Sequence, residues 1–282
     1  MRALLTAREK LGVTAPYETC EVGGVTIAYR QVGQGPDVVC LHAIGHGGSD
    51  FDSVAPALSQ RYRLTMLDWP GHGRSGDDAK PPGVARFGDI LAGFMATRGL
   101  SNVILIGNSV GGGAAMHYAS CAPDNVRALV LANPAGLVAQ TPRTRRALKI
   151  MEKFFAAGVA RRWWFTPAFR LYYRLMLPRA AARERRRAIV DARFAIAPLL
   201  QQAWRGFADP SSDLRTEAAS LKCPVLFTWA MRDRFVRYDL CREAIRAVPN
   251  GRIEKFDAGH TPFLETPDEF IAAVERFLDQ QA

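Results

Sequence analysis

Short runs of β-branched and aliphatic residues alternate with stretches of helical periodicity from residue 18 to the end of the chain. The pattern predicts strands over Glu18–Val22, Gly24–Gln31, Val38–His42, Arg63–Leu67, Asn102–Gly107, Val126–Asn133, Pro224–Ala230 and Arg252–Asp257. It predicts helices over Phe51–Gln60, Phe87–Arg98, Val110–Ala122, Tyr238–Val248 and Pro267–Gln280. The first two strands flank Gly23-Gly24 and are expected to form a hairpin. The rest follows a β-α-β-α order, which calls for right-handed crossovers and a mostly parallel sheet. Val103–Ile106 and Leu129–Leu131 are apolar at successive positions, as strands covered by helices on both faces must be. The expected fold is α/β: an eight-stranded, mostly parallel sheet with helices on both faces.

The alternation is interrupted once. Between Ala135 and Leu221 the pattern is helical throughout, over Thr144–Ala157, Pro167–Leu177 and Ala181–Phe207, with Pro167, Pro178 and Pro198 as punctuation. The expected organisation is a core of residues 1–136 and 221–282, with an all-helical insertion over 137–220 between strands six and seven.

Composition adds little, since 48% apolar and 23% charged residues in a 282-residue chain is ordinary for a globular protein and excludes disorder. Charge adds more. The formal net charge is +10, and residues 141–220 hold 17 Lys and Arg against 6 Asp and Glu, leaving 20 against 21 elsewhere. The excess belongs to the helical insertion. It reads either as a solvated outer face, with arginine stems lying on apolar surface, or as a weak contact with an anionic membrane surface. No nucleic-acid reading motif accompanies it. The same segment carries eleven aromatics, among them Trp163, Trp164, Tyr172 and Tyr173, which could roof an apolar pocket or form a small helical core.

No apolar run approaches the ~20 residues of a membrane span. Met1–Lys10 has only Ala3-Leu4-Leu5 as an apolar block, too short for a secretory signal, so a cytoplasmic location is expected. The five cysteines contain no CxxC pair and read as reduced thiols, with neither a metal site nor a cofactor implied.

The most informative stretch is Gly107-Asn108-Ser109-Val110-Gly111, which follows an apolar strand and opens an Ala-rich helix. A G-x-S-x-G turn in that context is a nucleophile elbow, which lifts the serine hydroxyl clear of the sheet. The alternative is a glycine-rich turn with Ser109 as an N-cap. A serine nucleophile needs a base and the base needs a carboxylate. His260, just past the last strand, and Asp233, just past the strand before it, fit those roles in the chain order Ser, Asp, His. Asp257 and Asp239 compete for the carboxylate role. His117 reads as packed core, while His46 and His72 lie in turns from which either could touch a ligand. The oxyanion donors are expected to be the amides of Val110 and of Ile44, with Ala43 next in line, the last two in the Gly-rich loop after the third strand. His42, Ala43, Asn108, Trp163, Trp164 and Thr261 are candidate pocket residues.

With these residues in that order the chain resembles serine-nucleophile α/β-hydrolases with a helical cap, from about residue 18 onward. Asp68-Trp69-Pro70-Gly71-His72-Gly73-Arg74-Ser75 after the fourth strand adds to the likeness. The resemblance places a cap where the insertion lies. It implies a cofactor-independent hydrolase acting on a small-molecule ester, thioester or lactone. It excludes the related dehalogenases and epoxide hydrolases, whose nucleophile is an aspartate. Two departures stand out. In relatives His-Gly opens the third-strand loop, where this chain has His42-Ala43. The Gly-Asn-Ser-x-Gly-Gly form resembles hydrolases that cut carbon–carbon bonds in ring-cleavage products of aromatic degradation, but those relatives carry a tryptophan after the histidine, where this chain has Thr261. Ester hydrolysis is the first reading and carbon–carbon hydrolysis the alternative. A non-catalytic ligand receptor is the alternative from another class.

Overall fold

A computed structural model describes residues 15–281; the expectation about Met1–Lys10 lies outside them. Eight strands form one sheet: β1 (Tyr17–Val22), β2 (Val25–Val32), β3 (Asp37–Leu41), β4 (Arg63–Leu67), β5 (Val103–Asn108), β6 (Val126–Ala132), β7 (Val225–Ala230) and β8 (Gly251–Phe256). Their spatial order is β1-β2-β4-β3-β5-β6-β7-β8. β1 and β2 form the expected antiparallel hairpin, β2 also runs antiparallel to β4, and every pairing from β4 to β8 is parallel.

Along β5 and β7 every residue is buried, and alternate positions of the inner strands feed two different cores. Val39, Leu41 and Leu105 pack on one face against α2 (Val84–Arg98) and α3 (Val110–Cys121). Val38, Cys40, Ile104 and Ile106 pack on the other against α1 (Ala55–Leu58) and α11 (Pro267–Asp279). The continuous apolar runs in the sequence are therefore a direct consequence of two-sided burial.

Between β6 and β7 the chain is helical: α4 (Pro142–Val159), α5 (Phe165–Met176), α6 (Arg183–Asp191), α7 (Arg193–Gly206) and α8 (Arg215–Ala219). Two helices expected as single pieces are divided. The expected Phe51–Gln60 helix is a 3-10 turn at Gly48–Ser53 followed by α1, in whose first turn Pro56 supplies a fixed φ and no N–H. The expected Ala181–Phe207 helix breaks at Ala192, whose N–H turns back to the Ala188 and Val190 carbonyls, and the Arg193 guanidinium also donates to the Val190 carbonyl at 3.1 Å. Pro198 punctuates nothing: it lies inside α7. The core is completed by α9 (Tyr238–Arg246) and α10 (Pro262–Glu265). Among the described residues no helix is long and apolar enough to cross a membrane.

Candidate active site

Loops at the carboxyl edge of the sheet meet in one place. The order of the sheet reverses at β3, so the loops after β3 and β5 diverge and leave a crevice between them. The loops after β6, β7 and β8 close its other side.

Ser109 joins β5 to α3 with φ 54° and ψ −118°, a region that costs a non-glycine residue strain. The turn is held by its own backbone: the Ser109 amide donates to the Ala132 carbonyl at 3.0 Å, and the Ser109 carbonyl accepts from the Gly113 amide at 2.9 Å and the Ala135 amide at 2.8 Å. It passes so close to β3 that a Cβ at Gly111 would stand 2.3 Å from the Leu41 carbonyl oxygen. The residues flanking Ser109 are thus chosen by space.

His260 Nδ1 donates to Asp233 Oδ2 at 2.6 Å, and both side chains are buried. Asp233 is held by further donors: Asn133 Nδ2 at 2.9 Å on Oδ2, and the amides of Phe235 at 2.8 Å and Val236 at 3.0 Å on Oδ1. A carboxylate with that many donors is fixed in place. Asn133 also accepts the Ala230 amide through Oδ1 at 2.8 Å, and its φ of 40° is one that Asn tolerates better than most residues. The His260 backbone is clamped as well. Asn108 Nδ2 donates to the His260 carbonyl at 3.0 Å, and the Thr261 hydroxyl donates to Asn108 Oδ1 at 3.2 Å. The His260 amide donates to the carbonyl of Met176, at the end of α5, at 2.7 Å. Buried Glu265 accepts the amides of Gly259 at 2.9 Å and Arg179 at 3.0 Å, tying the same loop to the insertion. Only glycine fits at 259, where a Cβ would lie 2.3 Å from the Met176 carbonyl oxygen.

Ser109 and His260 both line a cavity of about 730 Å³ between the sheet edge and the helical insertion, with Ala43, Ile44, His46 and Tyr173. Asp233 stands behind His260, outside the lining.

A family model described as alpha/beta hydrolase fold matches residues 36–267. The chain belongs to the α/β-hydrolase fold family. It is 30% identical over 264 residues to a pimeloyl-[acyl-carrier protein] methyl ester esterase of Nitrosomonas europaea, covering 89% of this chain and 98% of that one. It is 26% identical over 266 residues to a 2-hydroxy-6-oxo-6-phenylhexa-2,4-dienoate hydrolase of Comamonas testosteroni, covering 90% and 92%. Among solved structures, that of a membrane phospholipase A superposes with a TM-score of 0.82 at 22% identity, covering 99% of this chain and 90% of that one.

Within this hydrolase fold the expected site residues fall into three groups. Ser109, Ala43 and Ile44 face the cavity together with His260, and Val110 is the first residue of α3, where a helix leaves its N–H without an intrahelical partner. His42, Asn108 and Thr261 are buried and make protein hydrogen bonds outside the cavity lining, so their placement is behind the wall. Trp163 and Trp164 lie between α4 and α5, 88% and 37% exposed, away from the cavity; Tyr172, Tyr173, Trp204 and Phe207 supply its aromatic wall instead. The rival carboxylates do not reach His260: Asp257 is exposed outside the cavity and pairs with Arg179 and Arg232, and Asp239, at the cavity wall, pairs with Arg237 while His260 Nδ1 is taken by Asp233. His117 is only half-buried on α3, its ring packed against Gly88.

His42 and His72 turn out to shape the loop after β3. His42 Nδ1 donates to the Ala43 carbonyl at 2.7 Å while Nε2 accepts the Trp69 amide at 3.0 Å. His72 Nδ1 donates to the Pro70 carbonyl at 2.9 Å while Nε2 accepts the Gly45 amide at 2.9 Å. An imidazole that accepts through one nitrogen must be neutral. Burial, against the hydrogen bond to Ala43, pushes His42 down to about 3; burial and then neighbouring His42 push His72 down to about 3. The unfolded histidine takes its proton near pH 6.5. Stability from these two groups is therefore complete above that pH and is lost as pH falls from 6.5 toward 3, at about 1.4 kcal/mol per pH unit for each histidine. Urea midpoints measured from pH 7 to pH 4.5 should fall steeply, and His72→Gln, which removes one of the two groups, should flatten the slope. A flat wild-type profile would remove this account of both histidines.

The basic insertion is also partly tied down. Arg185 reaches the buried Asp50 carboxylate, Arg186 donates to the Leu177 carbonyl, and Arg193 donates to the Thr166 hydroxyl at 2.8 Å. Among the exposed basic residues, Arg143, Arg145, Arg146, Arg183 and Arg187 included, Arg161 and Arg162 share a turn with the exposed Trp163.

Proposed function

We propose that the protein is a serine hydrolase that cleaves a carboxylic ester, or a related thioester or lactone, through an acyl-enzyme. The observation that carries this reading is that Ser109, in a strained strand-to-helix turn, and His260, anchored on Asp233, line one cavity. His260 takes the Ser109 proton through Nε2 as Oγ attacks the carbonyl. The Asp233 carboxylate holds the Nδ1–H tautomer and stabilises the imidazolium that forms. The Val110 and Ile44 amides receive the oxyanion. The Gly45 amide already serves His72, which leaves Ile44 and Ala43 as the loop amides available. The tetrahedral adduct collapses as His260 passes the proton to the departing alcohol. Water, deprotonated by His260, then attacks the acyl-enzyme, and Ser109 leaves with its proton restored.

The ester esterase and carbon–carbon hydrolase relatives support hydrolysis and leave the substrate open. Thr261 favours esters, because it stands where the carbon–carbon hydrolases carry a tryptophan and, buried against Asn108, it presents no side chain to the cavity. A panel of p-nitrophenyl esters, acyl thioesters, lactones and a vinylogous diketone acid separates the readings. Turnover is expected on an ester, thioester or lactone; turnover confined to the diketone acid would establish carbon–carbon cleavage instead. Tight ligand binding with no turnover on any member would favour a receptor.

The insertion's exposed basic residues support a weak contact with an anionic membrane surface, with Arg161, Arg162 and Trp163 together in one turn, rather than through Arg185 or Arg186, which are held by protein partners. Sedimentation with phosphatidylglycerol vesicles should be salt-sensitive and should drop in Trp163→Ala combined with Arg162→Glu. Equal sedimentation of wild type and variant would end this idea.

A further inference from the structure

A second histidine–aspartate pair faces the same cavity. His46 Nδ1 donates to Asp50 Oδ2 at 2.5 Å, and both residues are buried. Asp50 also receives Arg185 of α6, so the pair is braced by the helical insertion. Burial raises the Asp50 carboxyl, but Arg185 and then His46 outweigh it and hold it down at about 2. The carboxylate stays ionised, accepts from Nδ1–H, and fixes the ring in one orientation. Burial lowers His46 despite Asp50, so the imidazole is neutral near pH 7. A neutral ring with its proton on Nδ1 leaves a lone pair on Nε2.

That nitrogen has no hydrogen-bond partner among the described residues, and His46 is part of the cavity wall. Much of the surrounding wall is apolar, with Ala43, Ile44, Val84, Leu148 and Met151. The Tyr173 ring lies beside His46, with centroids 6.1 Å apart, and lines the cavity as well. An acceptor held this firmly and open to the cavity can take water in the free enzyme, and a substrate that displaces that water must bring a donor to replace it. Ordinary ester hydrolysis, as described above, gives it nothing to do.

We propose that His46 is a specificity-determining residue whose Nε2 accepts a hydrogen bond from a hydroxyl on the substrate, so that the preferred esters carry a free hydroxyl on the acid or the alcohol side. Asp50 and Arg185 act through His46 as positioning residues. The proposal rests on the hydrolase reading. A pocket that hydrogen-bonds a substrate hydroxyl discriminates against analogues lacking it, because its own polar atom is then left unpaired.

Two matched pairs test it: p-nitrophenyl β-hydroxybutyrate against p-nitrophenyl butyrate for the acid side, and glycerol monobutyrate against propyl butyrate for the alcohol side. The readout is the ratio of kcat/KM within a pair, divided by the ratio of the alkaline hydrolysis rates. In the wild type one of the two ratios should be about tenfold above one, the size of a single neutral hydrogen bond. His46→Asn keeps a donor where Nδ1 stands but does not reach the Nε2 position, so the ratio should fall to about one. His46→Gln places an acceptor near Nε2 and should keep most of the ratio, and it carries the test alone if His46→Asn does not fold. Wild-type ratios of one in both pairs, or ratios that His46→Asn leaves unchanged, would overturn the proposal. Loss of the ratio in His46→Gln at unchanged melting temperature would do the same. Failure of the hydrolase reading looks different: Ser109→Ala would then hydrolyse the unsubstituted ester as fast as the wild type.

Discussion

Ser109→Ala is expected to lower kcat on a short p-nitrophenyl ester by on the order of 10⁵–10⁶ while leaving the melting temperature nearly unchanged. The two halves of that expectation come from different atoms. The elbow is held by the Ser109 backbone, through its amide to Ala132 and its carbonyl to the amides of Gly113 and Ala135, and alanine keeps all three bonds. The unfavourable φ of 54° weighs on alanine much as on serine. The hydroxyl alone is lost, and with it the proposed route to an acyl-enzyme. What remains is whatever the oxyanion donors and binding can do with water as nucleophile, typically 10³–10⁴ over the uncatalysed rate. A fluorophosphonate probe should label the wild type at Ser109, confirmed by peptide mass, and should not label the variant. Activity within tenfold of wild type, or labelling that survives the substitution, would mean that another group is the nucleophile.

The elements of this site differ in how far the chain announces them. Ser109 is legible because an elbow imposes steric rules on its neighbours, and those rules leave glycines at fixed spacing: Gly111 has no room for a Cβ beside Leu41. Asp233 and His260 are legible because strand order puts their loops at one edge of the sheet. The supports of the site are not. Asn133 meets Asp233, and Asn108 meets Thr261 and His260, through single hydrogen bonds spanning 100 residues or more. Such contacts leave no periodicity and no spacing to read. His72 is similar: its sequence setting between two glycines suggests an accessible turn, whereas its ring is buried and takes the Gly45 amide.

The helical insertion shows a different limit. Periodicity tells which face of a helix is buried, not whether it is buried against protein or against a cavity. Phe155, Phe165 and Phe169 close on one another, while Tyr172 and Tyr173, on the same helix as two of them, also reach the cavity. Trp163 lies in a turn, where no face is defined at all, and it points outward. The division between α6 and α7 falls at Ala192 with no Gly or Pro to mark it: the Ala192 N–H turns back to the Ala188 and Val190 carbonyls and the Arg193 side chain joins it on Val190.

Asp233→Asn should reduce kcat by about 10⁴ without disturbing the cavity. The reason lies in which groups surround each oxygen. Oδ1 accepts two backbone amides, from Phe235 and Val236, so the variant's carbonyl oxygen is drawn to that side. Its NH₂ then faces Asn133 Nδ2 and His260 Nδ1, both of which are donors toward Asp233. Relief is available if His260 carries its proton on Nε2 instead, so that the freed Nδ1 lone pair accepts from the new amide. That tautomer has no lone pair toward Ser109 and cannot act as the base. Asn133→Ala, by contrast, removes one donor and leaves the carboxylate and the His260 tautomer intact, so a loss of roughly tenfold is expected, in line with the removal of an outer supporting group. Measured side by side, the two variants should differ by about a thousandfold. Near-wild-type activity in Asp233→Asn, together with a large loss in Asp257→Asn or Asp239→Asn, would transfer the orienting role to another carboxylate.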